Sequence, residues 1–495
     1  MPSDPVTITL TLDDPPGHFW FDNGLVWLCI HKGEGTYSIE ELTTFLMQHL
    51  VTTTGNTGKF YDERTQSIQE YKRKNWLPPL SNFIKVNPRA PKITINGQTF
   101  FTRPPEYRLE FNKFSKKPGT CHICQKEAPL MDARMWLFPF TIAPDKFGNF
   151  YSMARGGLKL CPRCAVCGLA AYLSWFWYLD VHSKTLHLFL FHTAPQSLAK
   201  LHQTVFEYLK HSAISNTRNV KVAFYGAYLH ETLLGLLLYL FQLLHEKDAS
   251  LDEEALNFLQ EILESPIEHS QPLRLYGISG TLGQAFQAKT FYEFNRLQFL
   301  YRLYNRWIEE LSPSSHQHPS VLITQFFESF WRREGKSTNT LWRNQIAYHV
   351  LELEDFFPSV EDFLFQKDSR PLRYGSDTII TVYAKEVLTM QPELLQVLKG
   401  FGHSLGQKAA HKSEMGLLYA LRNAKSMDEF LKVLNDIQFR LELTVPHVLL
   451  QVENENKIAG TPWQRVKTLL SIFAMNSYLR ASQSVPSTPE STNEA

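Results

Sequence analysis

The sequence predicts an α+β chain: a mixed N-terminal body with a four-cysteine insertion, followed by a C-terminal α-helical bundle. Three observations predict it. Apolar runs with strand character fall mainly before residue 200, and capped or periodic helical segments dominate after it. Two Cys-x-x-Cys pairs, Cys121/Cys124 and Cys161/Cys164, sit close together in a chain with six cysteines in all. At 495 residues the chain has room for several domains, since domains run to about 150 residues each. Its 43% hydrophobic content and 20% charge describe a globular protein with a sizeable core.

Residues 7–12 alternate Thr with Ile and Leu, which reads as a strand. After the Pro15-Pro16-Gly17 break, residues 19–30 are an apolar segment and read as a strand containing Cys29. That thiol is expected to pack rather than react. Ser38-Ile39-Glu40-Glu41 is a capping box opening a helix that runs to about Leu50. Residues 51–119 are polar, basic and punctuated by Gly, Asn and Pro, and read as a basic loop region. Residues 185–191 read as a buried strand.

Residues 222–244 form the longest apolar stretch, interrupted by His230 and Glu231. An acidic side chain at a bilayer centre costs about 2.5–3.5 kcal/mol, so a buried helix of a soluble domain is expected rather than a membrane span. Ser250-Leu251-Asp252-Glu253 caps another helix. Residues 291–310 are expected to be helical, with Phe294, Leu297, Tyr301, Tyr304 and Ile308 on one face. The glycines of Tyr276-Gly277-Ile278-Ser279-Gly280-Thr281-Leu282-Gly283 suggest a mobile or close-approach loop followed by a helix; no Gly-Lys-Ser/Thr ending is present to grip a nucleotide.

Residues 312–320 (SPSSHQHPS) form the linker candidate. They divide a body at 1–318, whose metal segment is about 115–170, from a bundle at 319–480. In the bundle, Ser426-Met427-Asp428-Glu429 and Thr461-Pro462-Trp463-Gln464 have capping-box spacing. Residues 481–495 are rich in Ser, Thr, Pro and Glu and are expected to be disordered. The polar N-terminal residues lack a signal-peptide core, so a cytoplasmic location is expected. Reducing conditions there favour zinc thiolates over disulfides.

Four thiols in two pairs match one tetrahedral zinc. With Cys121, Cys124, Cys161 and Cys164 as ligands the coordination shell is closed, and a closed shell is structural rather than catalytic. Cys167 extends the second pair and is a substitute ligand on spacing alone, although it opens an apolar stretch that favours burial. A zinc deaminase needs a His-x-Glu before the cysteines, and a metalloprotease needs His-Glu-x-x-His; neither is present. No Ser/His/Asp or paired-carboxylate arrangement stands out, so the chain reads as a binder rather than an enzyme.

Net charge is +1, but it is unevenly spread. Residues 1–58 hold seven acidic side chains against one Lys; residues 59–117 hold thirteen Lys/Arg against five Asp/Glu, a local excess of +8. Fixed positive charge near nucleic acid releases condensed counterions. Asn56, Lys59, Lys72, Arg73, Lys74, Asn75, Lys116 and Lys117 are therefore the candidate nucleic-acid contacts, with Arg155 and Lys159 as additions between the cysteine pairs. Amides read base edges and cations hold phosphates. Trp76, just before Leu77-Pro78-Pro79, is expected to anchor this loop rather than to stack on a base.

His18-Phe19-Trp20-Phe21-Asp22-Asn23-Gly24, Gly119-Thr120-Cys121-His122-Ile123-Cys124, Pro139-Phe140, Asn149-Phe150 and Leu160-Cys161-Pro162-Arg163-Cys164 resemble one known pattern. It is that of the CXXC–CXXC family of CRISPR-associated proteins, large subunits of type I Cascade complexes, mainly of the I-B subtype. The likeness covers about 150 residues on the N-terminal side. It implies a non-enzymatic subunit that sits beside the handle-binding subunit at the 5′ end of the guide RNA. It further implies binding of target double-stranded DNA, recognition of the short flanking motif (PAM recognition), and contact with backbone and small subunits. A helicase–nuclease or a transposition adaptor would be recruited downstream. Pairing with the guide reads about 20 bases, so the protein need read only a short motif and hold backbone. Two rival readings remain: a stand-alone zinc-stabilised nucleic-acid-binding regulator, and an enzyme of unknown type with a structural zinc.

Overall fold

The chain opens with β1 (Thr7–Leu10), α1 (Phe19–His31), β2 (Gly35–Ser38) and α2 (Ile39–Leu50). These come from a computed structural model that describes residues 6–111, 114–140, 157–211, 215–246, 253–264, 272–283, 286–312, 317–335 and 337–484. β1 pairs antiparallel with β2, Thr7 opposite Ser38. α2 is capped as expected, Ser38 Oγ accepting from Glu41 N at 3.1 Å.

α1 corrects the strand expected at residues 19–30. His18 caps it by accepting from Trp20 N on Nδ1 at 3.2 Å. Phe19 through Leu28 are all buried, Asp22 and Asn23 included. A helix enclosed on every side carries no 3.6-residue alternation, so an apolar run alone cannot distinguish it from a buried strand.

The basic region is also regular rather than loop. β3 (Val51–Asp62) and β4 (Ser67–Trp76) form a long antiparallel hairpin, joined by β5 (Lys92–Ile95) and β6 (Gln98–Phe101) in the order β4-β3-β6-β5. Thr, Phe, Tyr and Ile along these segments supply strand propensity, while charged side chains cover the solvent side. Trp76 is the expected anchor: it is buried, and its Nε1 donates to Val86 O at 3.0 Å.

Short strands β7 (Pro118–Thr120), β8 (Glu127–Pro129), β9 (Met131–Asp132) and β10 (Lys159–Leu160) lead into α3 (Pro162–Ala170). There follow β11 (Phe176–Asp180), β12 (Thr185–His192), α4 (Pro195–Thr204), α5 (Phe206–Leu209), α6 (Leu229–Glu246), α7 (Glu253–Glu264), β13 (Arg274–Leu282) and β14 (Phe286–Phe294). β11-β12-β13-β14 is an antiparallel sheet, and β12 is the strand expected at 185–191.

β13 overturns the loop reading of Tyr276–Gly283, and β14 overturns the helix after it. Gly280 is nevertheless a close approach: a Cβ there would meet Gln287 O at 2.4 Å, at a bulge in the β13–β14 ladder. The helix expected from Phe291 begins at Leu297, because residues 291–294 belong to β14.

Two compact units result: Met1–Lys221 with Leu243–Leu297, and Val222–Gln242 with Gln298–Ala495. In sequence the units change over at Lys221/Val222, Gln242/Leu243 and Leu297/Gln298, so most of α6 belongs to the second unit. The first unit's core gathers Trp20, Tyr172, Trp175, Phe83 and Phe286.

The second unit is helical: α8 (Leu297–Leu311), α9 (Pro319–Glu328), α10 (Leu341–Glu352), α11 (Phe357–Leu364), α12 (Ser376–Glu386), α13 (Pro392–His411), α14 (Met415–Asn423), α15 (Met427–Leu441) and α16 (Trp463–Ser484). Ser426 caps α15, accepting from Glu429 N at 3.2 Å. Gly402 and Gly406 of α13 let α16 come close, a Cβ on Gly406 meeting Ala474 O at 2.1 Å. Thr461 and Pro462 form a short extended pair instead of a cap, and α16 starts at Trp463.

α16 runs through Ser484, four residues into the segment expected to be disordered; residues 485–495 and the Ser250 cap lie outside the described residues. Among the described residues no helix is long and apolar enough to cross a membrane.

Candidate metal centre and cationic hairpin

The β7–β8 hairpin holds the first cysteine pair at its turn. Cys121 N donates to Lys126 O at 2.9 Å and Gln125 N to Cys121 O at 3.0 Å, with Gln125 at φ +60°. The second pair opens α3. Cys161 is its N-cap, with Sγ accepting from Cys164 N at 3.4 Å, and Pro162 occupies the first turn, where its missing N–H costs nothing. Two contacts join the pairs: Cys161 N donates to Cys121 Sγ at 3.4 Å, and His122 N to Lys159 O at 3.0 Å.

The four Sγ atoms lie within 4.8 Å of one another, with Cys124 and Cys161 3.7 Å apart. A tetrahedral ion at about 2.3 Å from each sulfur sets them about 3.8 Å apart, whereas a disulfide needs about 2.05 Å. The donor set therefore fits a metal such as zinc. Electrostatics agrees. The Cys121 thiol is pulled well below its ordinary value, chiefly by a hydrogen bond from Cys161, and Cys124 falls to about 6 through Cys164. Cys161 is pushed up to about 12, and Cys164 higher still, chiefly because each donates to Cys121. Thiolates this close must share either protons or a cation.

Cys167, one turn further along α3, stands outside the cluster; it is fully buried, and burial raises its pKa. Cys29 is half-buried and pushed up to about 12 by the same cause. Both are packing thiols.

Sequence reasoning missed one clamp. The Asp14 carboxylate pairs with Lys126, beside the first cysteine pair, and with Arg163 inside the second at 2.9 Å. Its pKa is lowered, first by the hydrogen bond from Lys126. Asp14 and Arg163 lie 149 positions apart, so no local pattern announces the pairing.

The hairpin gathers most of the nucleic-acid candidates. Thr53 is opposite Lys74 and Thr57 opposite Lys72, so Thr54, Gly55 and Asn56 bulge against Arg73 alone. Asn56, Lys59, Lys72, Arg73, Lys74 and Asn75 are all exposed. Lys59 is in register with Glu70, which offsets part of its charge. Lys116 and Lys117 are exposed but belong to the cysteine segment, just before β7. Lys159 pairs with Asp132 across β9–β10, which supports the fold rather than leaving a free cation. Arg155 lies outside the described residues.

No known protein family, curated protein or solved structure matches the chain.

Proposed function

We propose that this chain is a non-catalytic nucleic-acid-binding subunit, stapled by one structural Zn2+ on Cys121, Cys124, Cys161 and Cys164. Bound there, the ion replaces shared protons with a four-way crosslink between the β7–β8 turn and α3. A closed shell of four thiolates leaves no position for water or substrate. The observation that carries the binding reading is the bulge on β3. It sets an amide, Asn56, beside three consecutive exposed cations on β4, none of them in an ion pair among the described residues. Side chains alternate along β4, so Lys72 and Lys74 share one face and Arg73 the other; cations without carboxylate partners gain most from a phosphate backbone.

The likeness to the CXXC–CXXC family supplies the setting. In it, the chain is the large subunit of a type I Cascade complex, holding the guide RNA handle region and target DNA among the backbone, handle-binding and small subunits. It reads the flanking motif and presents a surface to a helicase–nuclease or transposition adaptor.

The test is fluorescence anisotropy on duplex DNA over a range of salt. It is run on the full chain alone and with guide-loaded partner subunits, for wild type and for Lys72→Glu/Arg73→Glu/Lys74→Glu. The substitution should weaken binding and flatten the log–log salt slope by about 1.8–2.7, from two or three phosphate contacts at about 0.9 each. Tight binding should require the guide-loaded partners. An unchanged slope in the triple variant removes the hairpin from the interface, and tight, partner-independent binding favours a stand-alone regulator.

A further inference from the structure

At the end of β4 a cavity of about 600 Å³ opens beside Asn75, a size within the roughly 300–1,000 Å³ of small-ligand pockets. Four amides line it, Asn75, Asn82, Asn87 and Asn216, together with Lys85 and the Tyr107 ring; among the described residues there is no Asp or Glu in the lining. The ring packs against buried Trp76, which also lines the cavity, their centroids 4.7 Å apart and their planes tilted by 55°. Tyr107 Oη donates to Asn75 Oδ1 at 3.5 Å, leaving the Asn75 amide N–H groups without a partner among the described residues. Asn82 spends one N–H on Pro79 O at 2.9 Å, which fixes its plane and leaves its carbonyl oxygen to accept.

Each feature narrows the ligand. Amides offer donor and acceptor side by side, the pattern that matches a nucleobase edge. An aromatic ring offers a stacking face, and unpaired bases are recognised by stacking combined with edge hydrogen bonds. A lining without carboxylates offers no counter-charge to a cationic amine, whereas Lys85, whose Nζ also donates to Ser81 O at 2.9 Å, suits an anion. Along β4 the side chains alternate, so Arg73, two residues before Asn75, shares its face of the strand.

We infer that this cavity takes one unstacked nucleobase, its ring on Tyr107, its edge on the asparagine amides and its phosphate at Lys85. The inference rests on the reading of β4 as a phosphate-contacting strand. It adds to that reading a site for a single base outside the duplex.

The test uses 2-aminopurine, whose fluorescence is quenched by stacking, in two forms: within a single-stranded DNA oligonucleotide and as the free nucleoside monophosphate. With the full chain at low salt, the strand-borne probe should be quenched. Tyr107→Ala should abolish the quenching and weaken strand binding roughly tenfold. Asn75→Ala and Asn87→Ala, both at exposed positions where folding is not at stake, should each reduce it.

Quenching of the free nucleotide with the same dependence assigns the cavity to soluble nucleotides as well as strands. A probe that stays unquenched in both forms, or quenching that survives all three variants, overturns the inference. If strands still bind through Lys72–Lys74 while the probe is silent, the cavity falls and the proposed function stands. A quenched free nucleotide without any strand binding does the reverse.

Discussion

A Cβ on Gly24 would stand 1.8 Å from the carbonyl oxygen of Cys167, so α1 and α3 meet backbone to backbone. Gly168 of α3 is also tightly seated: its Cβ would meet the backbone oxygen of Leu137, before α3, at 2.3 Å and the Phe21 ring of α1 at 2.9 Å. Trp20 Nε1 closes the junction, donating to Gly168 O at 3.0 Å and Leu137 O at 3.1 Å. α3 carries Cys164, so the helix that presents the metal ligand is seated by two glycines and an indole.

Gly24→Ala should therefore destabilise the protein by roughly 3 kcal/mol, at the upper end of overpacking costs, and should lower its metal affinity. Gly400→Ala is the control. Gly400 lies on an exposed face of α13 with nothing within 4 Å of a new Cβ, so alanine should stabilise by about 0.5–1 kcal/mol. Thermal melts of both variants check this; equal melting temperatures would contradict the close crossing.

That crossing explains why α1 is not legible as a helix in the sequence. Helices with one wet face are legible: Ser38 and Ser426 announce α2 and α15, and each accepts from a backbone N–H three residues on. α1 has no wet face, so its sequence carries composition without period. Its 13 residues, longer than most strands, and His18 at its start are the available signals. β13 is obscured for a related reason. Its glycines punctuate like a loop, yet Gly280 is there to admit the Gln287 carbonyl. The four cysteines are legible because ligand chemistry fixes both residue type and spacing. The asparagine cavity is not, since Asn75, Asn82, Asn87 and Asn216 are ordinary polar residues until the chain brings them together.

Glu361 on α11 should give the protein a pH-dependent stability. It is buried, and burial pushes its pKa from 4.5 up to about 7, against the pull of Lys467 and a hydrogen bond with Ser471. The folded state thus holds this proton more tightly than the unfolded chain. Stability from this group is full below about pH 4.5 and is lost as pH rises through about 7. The loss amounts to about 3 kcal/mol at most, from 2.5 pKa units. Glu361→Gln should flatten this limb and be the more stable protein at pH 8. Urea unfolding at pH 5 and pH 8 checks it, and an equal slope in the variant would contradict the assignment.

Glu231, half of the His-Glu pair that falls short of a metalloprotease motif, is spent on an ion pair. It is fully buried, with Arg343 Nε 2.5 Å from Oε2 and Thr340 Oγ1 donating to Oε1 at 2.7 Å. Removing the guanidinium leaves a buried carboxylate unpaired, so Arg343→Met should cost about 3–5 kcal/mol. Glu231→Gln/Arg343→Met should recover most of that, because both buried charges are then gone. Chemical denaturation of the single and double variants decides it; additive losses would show that the two side chains act independently.

Metal content measured alongside free-thiol content on the purified chain tests the central claim most directly. The account predicts about one zinc per chain, lost together with stability in Cys164→Ser and retained in Cys167→Ser. Metal-free protein, folded, with the thiols of all four clustered cysteines open to modification, would contradict it.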